Sequence, residues 1–184
     1  MQVPAGRDTR PTSDRVRGAI FSSLGARVTE ARVLDLYAGT GALGLEALSR
    51  GAAGAVFVEH ARAALAVLLV NVAEFGRRDP RRLTVTVEPR AVAVSLSHLS
   101  KNTERFELIF ADPPYGSEAQ ALLDARELPG LLTATGELVL ESGARERLRL
   151  PGGWESTREA VYGDTRVTFL RRVTASPPTL SPTS

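Results

Sequence analysis

The stretch ARVLDLYAGTGALGLEALSRGAAG, from Ala31 to Gly54, decides the reading of this chain. Val33-Leu34-Asp35-Leu36 is a short apolar run interrupted by one acid, the pattern of a buried parallel strand. Gly39, Gly41 and Gly44 follow at close spacing, and Leu45, Ala47 and Leu48 then open a helical pattern. The order is strand, glycine-rich turn, helix. Glycines let backbone approach a ligand closely, and the first turn of a helix offers N–H groups with no partner inside the helix.

Gly39-Thr40-Gly41-Ala42-Leu43-Gly44 matches the dinucleotide pattern GxGxxG, a weak signal when it stands alone. Two ligand classes compete for it. A nicotinamide cofactor would lay a pyrophosphate on the turn, and an acid just ahead of the turn would repel it. Asp35 is such an acid, four residues before Gly39. A carboxylate there suits a ligand with a cationic ammonium group. S-Adenosylmethionine (SAM) has an amino-acid end and a sulfonium and carries no phosphate. Asp35-Leu36-Tyr37-Ala38-Gly39-Thr40-Gly41 closely resembles motif I of the class I SAM-dependent methyltransferases. A tight turn with no ligand is the bland alternative, and three close glycines count against it.

At 184 residues the chain suits one domain with a sizeable core. Its 43% hydrophobic and 24% charged content is that of an ordinary soluble globular protein. No run of about 18 apolar residues suggests a membrane span, and Met1 to Pro11 contains no apolar signal core. Cysteine is absent, which excludes disulfides and thiolate chemistry and is compatible with a cytoplasmic location. No metal site is expected. Net charge is only +2, and Lys101 is the sole lysine among the basic residues. Arginine is the better fork for phosphate, but a GC-rich genome or heat adaptation would favour it as well.

Residues 1–11 read as a lead-in, 12–173 as one domain, and the Pro/Ser/Thr-rich 174–184 as a disordered tail. Thr12 or Ser13 can cap a helix running to Leu24, with Asp14 in its first turn and Val16, Ile20, Phe21 and Leu24 on one face. Arg10, Arg15 and Arg17 lie at its start and sides. They are either a solvated fringe or a nucleic-acid contact. Ala55 to Glu59 is the second strand, ending in an acid of the kind that accepts hydrogen bonds from ribose hydroxyls in α/β nucleotide folds. His60 beside it reads as pocket wall or surface. A helix follows from Ala61 to a stop at Gly76. The charged turn from Arg77 to Arg82 reads as solvated in preference to RNA-binding. Leu83 to Val87 is strand three, and Val92 to Leu99 a modest helix. Phe106 to Ala111 is strand four. A helix is expected over 118–128, strand five over 136–141, and an antiparallel hairpin turning at Gly163-Asp164.

Ligands in an open α/β sheet sit beyond the carboxyl ends of the strands. That rule gathers Asp35, the glycine turn, Glu59, Arg90 and Asp112-Pro113-Pro114-Tyr115 on one edge. The last group carries the sharpest chemistry. Two prolines stiffen the chain and remove donors while their carbonyls stay available. Asp112 adds a carboxylate acceptor and Tyr115 a flat face. An exocyclic amine on a base is a poor nucleophile because its lone pair is delocalised into the ring. Accepting its two N–H bonds, at Asp112 and the Pro113 carbonyl, favours a pyramidal nitrogen whose lone pair can meet a methyl donor. Tyr115 can stack on the extruded base, worth about 1–3 kcal/mol. An ordinary Pro-Pro turn is the bland reading, and it loses weight beside motif I.

Asp-Pro-Pro-Tyr resembles the motif of amino-group methyltransferases, which act on DNA adenine, RNA bases or, with Asn first, protein glutamine. Arg10-Pro-Thr-Ser-Asp-Arg-Val-Arg17, the run from Asp35 to Gly51, and Val161-Tyr-Gly-Asp-Thr165 resemble the RsmD family of 16S ribosomal RNA guanine 2-amino methyltransferases. The likeness spans nearly everything from Arg10 to Leu170. It implies an α/β, Rossmann-like class I methyltransferase with a seven-stranded, mostly parallel sheet and a C-terminal antiparallel hairpin. It also implies SAM at Asp35, Tyr37, Gly39, Gly41, Leu43, Glu59, His60 and Ala91, with the target amine at Asp112, Pro113, Pro114 and Tyr115. Arg10, Arg15 and Arg17 become candidates for RNA contact. The implied partner is 16S ribosomal RNA within the small ribosomal subunit, and no membrane. The chain departs from the family's Gly-Asp-Ala after strand three, where the Asp meets the adenine amino group. Pro89-Arg90-Ala91 stands there, and Arg90 cannot accept a hydrogen bond. Adenine recognition then falls to the Ala91 backbone or elsewhere. A DNA adenine methyltransferase would normally need a target-recognition domain for which no stretch is long enough. The intact Asp112–Tyr115 motif argues against a non-catalytic SAM- or RNA-binding module.

Overall fold

The computed structural model describes residues 11–81, 83–114 and 116–173. Arg10, Tyr115 and the expected tail over 174–184 lie outside the described residues. Seven strands form one sheet, β1 (Arg32–Leu36), β2 (Gly54–Val58), β3 (Thr84–Glu88), β4 (Phe106–Ala111), β5 (Leu132–Gly143), β6 (Trp154–Tyr162) and β7 (Thr165–Arg172), in the order β3-β2-β1-β4-β5-β7-β6. The first five run parallel; β7 joins β5 antiparallel, and β6 joins β7. The expected hairpin is present, with Gly163 and Asp164 as its turn.

The helices are α1 (Pro11–Leu24), α2 (Ala42–Ser49), α3 (Arg62–Arg78), α4 (Val92–Lys101), α5 (Glu118–Asp124) and α6 (Leu128–Leu131), with a single 3₁₀ turn at Gly25–Val28. They cover both faces because each central strand is apolar on both sides. Val33, Ala55, Phe57, Leu108 and Phe110 pack with Phe21 of α1, Leu48 of α2 and Leu68 of α3. Leu34, Leu36, Val56, Val58, Ile109 and Leu140 pack with Leu96 of α4 and Leu122 of α5. This period-two division is what a parallel sheet buried on both sides requires.

Four local expectations are corrected. α1 already includes Pro11, so Thr12 and Ser13 lie inside its first turn; proline's fixed φ suits the first helical position. α3 runs through Gly76 to Arg78 and ends at Asp79, whose backbone is extended. The helix expected over 118–128 is two pieces, α5 and α6, separated by an extended Ala125. Burial of Leu122, Leu123, Leu128 and Leu131 in one core imitates a continuous apolar face. β5 starts at Leu132, four residues before Gly136, because Leu132 pairs with Phe106 across an irregularity in the β4–β5 ladder.

Candidate active site

The strand order reverses between β1 and β4, so a crevice opens at their carboxyl ends. Leu36 is in register with Val58 and with Ala111, and Ala111 with Leu140. The next residue on each strand is therefore Tyr37, Glu59, Asp112 and Glu141. That row along the sheet edge gathers Glu59, Asp112 and Glu141 beside Tyr37, with Asp35 two residues before Tyr37 on β1, paired with Phe57 and Phe110.

The glycine turn is held from several directions. Gly44 N–H donates to Asp35 Oδ2 at 2.8 Å, and Asp35 is 2% exposed. Asp35 thus satisfies an amide in the first turn of α2, a capping duty that the sequence reading did not foresee. Gly39 N–H donates to Glu59 Oε2 at 2.8 Å, and Asn71 Nδ2 donates to the Thr40 carbonyl at 3.0 Å. Tyr37, Gly39 and Gly41 all take positive φ, at 57°, 57° and 84°. A Cβ on Gly39 would meet nothing nearer than the Tyr37 carbonyl at 3.9 Å, so that glycine serves the backbone conformation and leaves open space above it. A Cβ on Gly44 would come within 2.3 Å of the Phe57 ring. That glycine serves the packing of α2 on β2.

Glu59 accepts two further backbone amides at Oε1, from His60 at 2.8 Å and Ala61 at 2.7 Å. It is both a support of the turn and the acid at the end of β2. His60 is exposed, with Nδ1 3.9 Å from Glu59 Oε1. Leu43 packs partly buried against the core on the α1–α3 face. Ala91 precedes α4 at the same sheet edge, beyond β3. Arg90 faces Glu88, Nε to Oε2 at 3.5 Å.

Asp112 and Pro114 are exposed and Pro113 is buried between them. The turn they open is fixed on its far side. The Tyr37 hydroxyl donates to Glu118 Oε2 at 3.2 Å at the start of α5, and Gly116 N–H donates to Glu146 Oε1 at 3.1 Å. Burial and the Glu118 carboxylate push the Tyr37 hydroxyl up to about 12, so it stays protonated as a donor. Burial and neighbouring acids raise two of the carboxyls, Asp35 and Glu141. Burial pushes Asp35 up to about 7 against the pull of the Gly44 amide, with Asp112 and Glu59 adding to the rise. Burial, Asp112 and Asp35 push Glu141 up to about 8. The edge is an acidic crevice that prefers to share protons or to receive a cation.

The structure brings Asp35, Tyr37, Gly39, Gly41, Glu59, Asp112 and Pro113 together. Of the expected RNA contacts, Arg17 is spent on Asp14 at 3.0 Å and Glu46 at 3.9 Å, while Arg15 is exposed. Asn71, Glu118, Glu141 and Glu146 went unassigned in the sequence. Two of them left a trace there: Asn71 is a lone amide in an apolar helical stretch, and Glu141 ends the strand expected over 136–141, as Glu59 ends the one expected over 55–59. Among the described residues no cluster of three or more side chains could hold a metal ion, and no helix is long and apolar enough to cross a membrane.

A doubly wound sheet of this order, with a glycine turn after β1 and an antiparallel hairpin at its end, defines a class I methyltransferase fold. The family described as Conserved hypothetical protein 95 matches residues 1–171, and the chain belongs to it, the RsmD family of methyltransferases. "Ribosomal RNA small subunit methyltransferase D" of Escherichia coli K12 is 32% identical over 174 residues, covering 94% of this chain and 84% of that protein. The structure of a hypothetical protein of Thermus thermophilus superposes with a TM-score of 0.75 at 36% identity, covering 94% of this chain and 92% of that one. The structure of SMU.776 complexed with SAH shares the fold at a TM-score of 0.64 and 16% identity, over 88% of this chain and 49% of that one.

Proposed function

We propose that the protein transfers the methyl group of SAM to the exocyclic 2-amino group of a guanine in 16S ribosomal RNA, with the assembled small subunit as its preferred substrate. The observation that carries this reading is the exposed Asp112 carboxylate at the end of β4, one strand from the glycine turn at the switch point. The small-subunit RNA assignment follows the name of the Escherichia coli relative.

The crevice fits SAM by its chemistry. No basic side chain lies in Tyr37–Gly41, and Asp35, Glu59, Asp112 and Glu141 surround it, which favours an ammonium and a sulfonium over a pyrophosphate. When bound, SAM supplies an electrophilic methyl group on a sulfonium. Glu59 holds the ribose hydroxyls with the acceptor capacity left beside its backbone bonds. The Gly39 turn receives the amino-acid end, and the Ala91 backbone reads the adenine. Leu43 and His60 wall the pocket.

The Asp112 carboxylate and the Pro113 carbonyl accept the two N–H bonds of the guanine amine and aim its lone pair at the methyl carbon. The N–C bond forms as the S–C bond breaks, and the bonding pair leaves with sulfur. The methylated nitrogen is then strongly acidic and sheds a proton to Asp112 and on to solvent. The catalytic terms are positioning and electrostatic preorganisation. A base inside folded RNA costs a few kcal/mol to unstack. With net charge +2 the protein has little bulk attraction to supply that cost, which favours a particle that already presents the target loop.

Labelled SAM would be offered with small-subunit particles, purified 16S RNA and duplex DNA at one salt concentration, and the labelled nucleoside identified. N2-methylguanine in particle RNA is expected. Equal rates on naked RNA and particles would remove the particle preference, and labelling of the DNA alone would overturn the RNA reading.

A further inference from the structure

The loop over residues 144–150, which leaves β5 at the carboxyl edge, is built against the catalytic turn. Glu146 lies at its centre. Its Oε1 accepts Gly116 N–H at 3.1 Å, and its Oε2 accepts Gly143 N–H at 3.0 Å. Arg166 of β7 fixes the same loop from beneath, Nη1 donating to the Glu146 carbonyl and Nη2 to the Ala144 carbonyl, both at 2.9 Å. Ala144 N–H donates to the Asp164 carbonyl at 2.8 Å. The loop is therefore a fixed extension of the sheet, and Gly116 directly follows Asp112–Tyr115.

Arg145 and Arg147 flank this latch, and both are exposed. Among the described residues neither enters an ion pair. Arg149 on the same loop does, with Asp124 at 3.1 Å, and Arg166 does, with Glu159 at 3.4 Å. Two uncommitted guanidinium groups thus sit one residue either side of the group that holds the catalytic turn. The loop touches the chain at Gly116, four residues after Asp112, so a strand that delivers a base to Asp112 would have this loop close at hand. A guanidinium meets phosphate oxygens in a bidentate fork.

We propose that Arg145 and Arg147 form a phosphate clamp that grips the RNA backbone next to the extruded target nucleotide. The inference rests on the RNA reading above and adds a surface to it. The clamp lies at the pocket mouth, whereas Arg17 of α1 is already paired with acids of its own chain.

The test compares two double variants of equal charge. R145A/R147A removes the clamp. R77A/R105A removes two exposed arginines at the opposite, amino edge of the sheet, where α3 ends and β4 begins. Affinity for a small-subunit RNA fragment is measured by anisotropy across a salt series, alongside SAM affinity and methyl-transfer kinetics. The clamp variant is expected to bind RNA about tenfold or more weaker. Its slope of log affinity against log salt should shrink by about 1.4, for two single-stranded phosphate contacts. KM for RNA should rise, with kcat at saturating RNA and SAM affinity little changed. The control variant should stay near wild type. Equal weakening in both variants, or an unchanged slope in R145A/R147A, would overturn the clamp while the wild type still methylates RNA. A wild type that neither binds nor methylates RNA would overturn the RNA reading, and the clamp with it.

Discussion

Glu59 Oε2 accepts the Gly39 amide at 2.8 Å, so the acid that ends β2 also holds the glycine turn that follows β1. The same carboxylate takes the amides of His60 and Ala61. Replacing Glu59 with alanine therefore removes three observed backbone supports together with the ligand contact proposed for it. SAM binding should weaken by about 1–3 kcal/mol, the cost of leaving polar groups unpaired. Glu59→Gln retains a carbonyl acceptor and should fall between wild type and Glu59→Ala. Calorimetry that finds Glu59→Ala binding SAM as tightly as wild type would remove Glu59 from the cofactor site.

Asp112 is expected to separate chemistry from binding. Asp112→Ala should lower the methyl-transfer rate by about 100-fold or more, the scale of losing one preorganised polar group. SAM affinity should change far less. Tyr115 is assigned from its motif, and stacking needs its ring and not its hydroxyl. Tyr115→Phe should thus be mild and Tyr115→Ala damaging, in KM for RNA above all. Equal damage from both substitutions would sink the stacking role.

The raised acids set a pH dependence with a definite sign. A carboxyl whose folded pKa lies above its unfolded value binds more protons in the folded state, so folding stability falls as pH rises between the two values. For Asp35 the window runs from 3.8 to about 7, and for Glu141 from 4.5 to about 8. Stability in the absence of ligand should decline from about pH 5 to pH 8 and level off above. Glu141→Gln should flatten the upper part of that decline. Asp35→Asn, which can still accept from Gly44, should flatten the lower part. Thermal melts across this range check both, and parallel curves for wild type and Glu141→Gln would contradict the burial of that acid's charge.

What the sequence disclosed and what it hid divide along range. The strands were legible because β2 and β4 are apolar on both faces, and the β1 turn because Gly39 and Gly41 mark it. The acids Asp35, Glu59 and Asp112 could be placed at strand ends by pattern alone. Their partners could not. Asn71 meets Thr40 across 31 positions, Glu146 meets Gly116 across 30, and Tyr37 meets Glu118 across 81. Such contacts depend on the sheet order, which no local periodicity encodes. Asp35 shows the consequence. Read from its place in β1 just ahead of the turn, it suits a ligand's ammonium; in the fold its Oδ2 takes the Gly44 amide. The break between α5 and α6 was hidden for a related reason, since core burial of Leu128 continues the apolar spacing after the backbone has left the helix.

The glycines of the turn should fail in different ways. Gly44→Ala drives a Cβ to 2.3 Å from Phe57 Cε1 and 3.0 Å from Asp35 Oδ2, both fixed in the core. Overpacking of this kind costs about 1–3 kcal/mol of stability. Trimming the ring relieves it, so Phe57→Leu added to Gly44→Ala should cost less than the sum of the two single changes, a coupling that a double-mutant cycle reads directly. Gly39→Ala meets open space, and its penalty is a left-handed backbone alone, about 1–2 kcal/mol. Its added methyl would instead project into the space assigned to SAM, so binding should suffer more than folding. Denaturant melts and SAM titrations of the four variants distinguish the cases. Additive behaviour of Gly44→Ala and Phe57→Leu would show that α2 moves away from β2 instead of pressing on it, and full SAM affinity in Gly39→Ala would place the cofactor away from this turn.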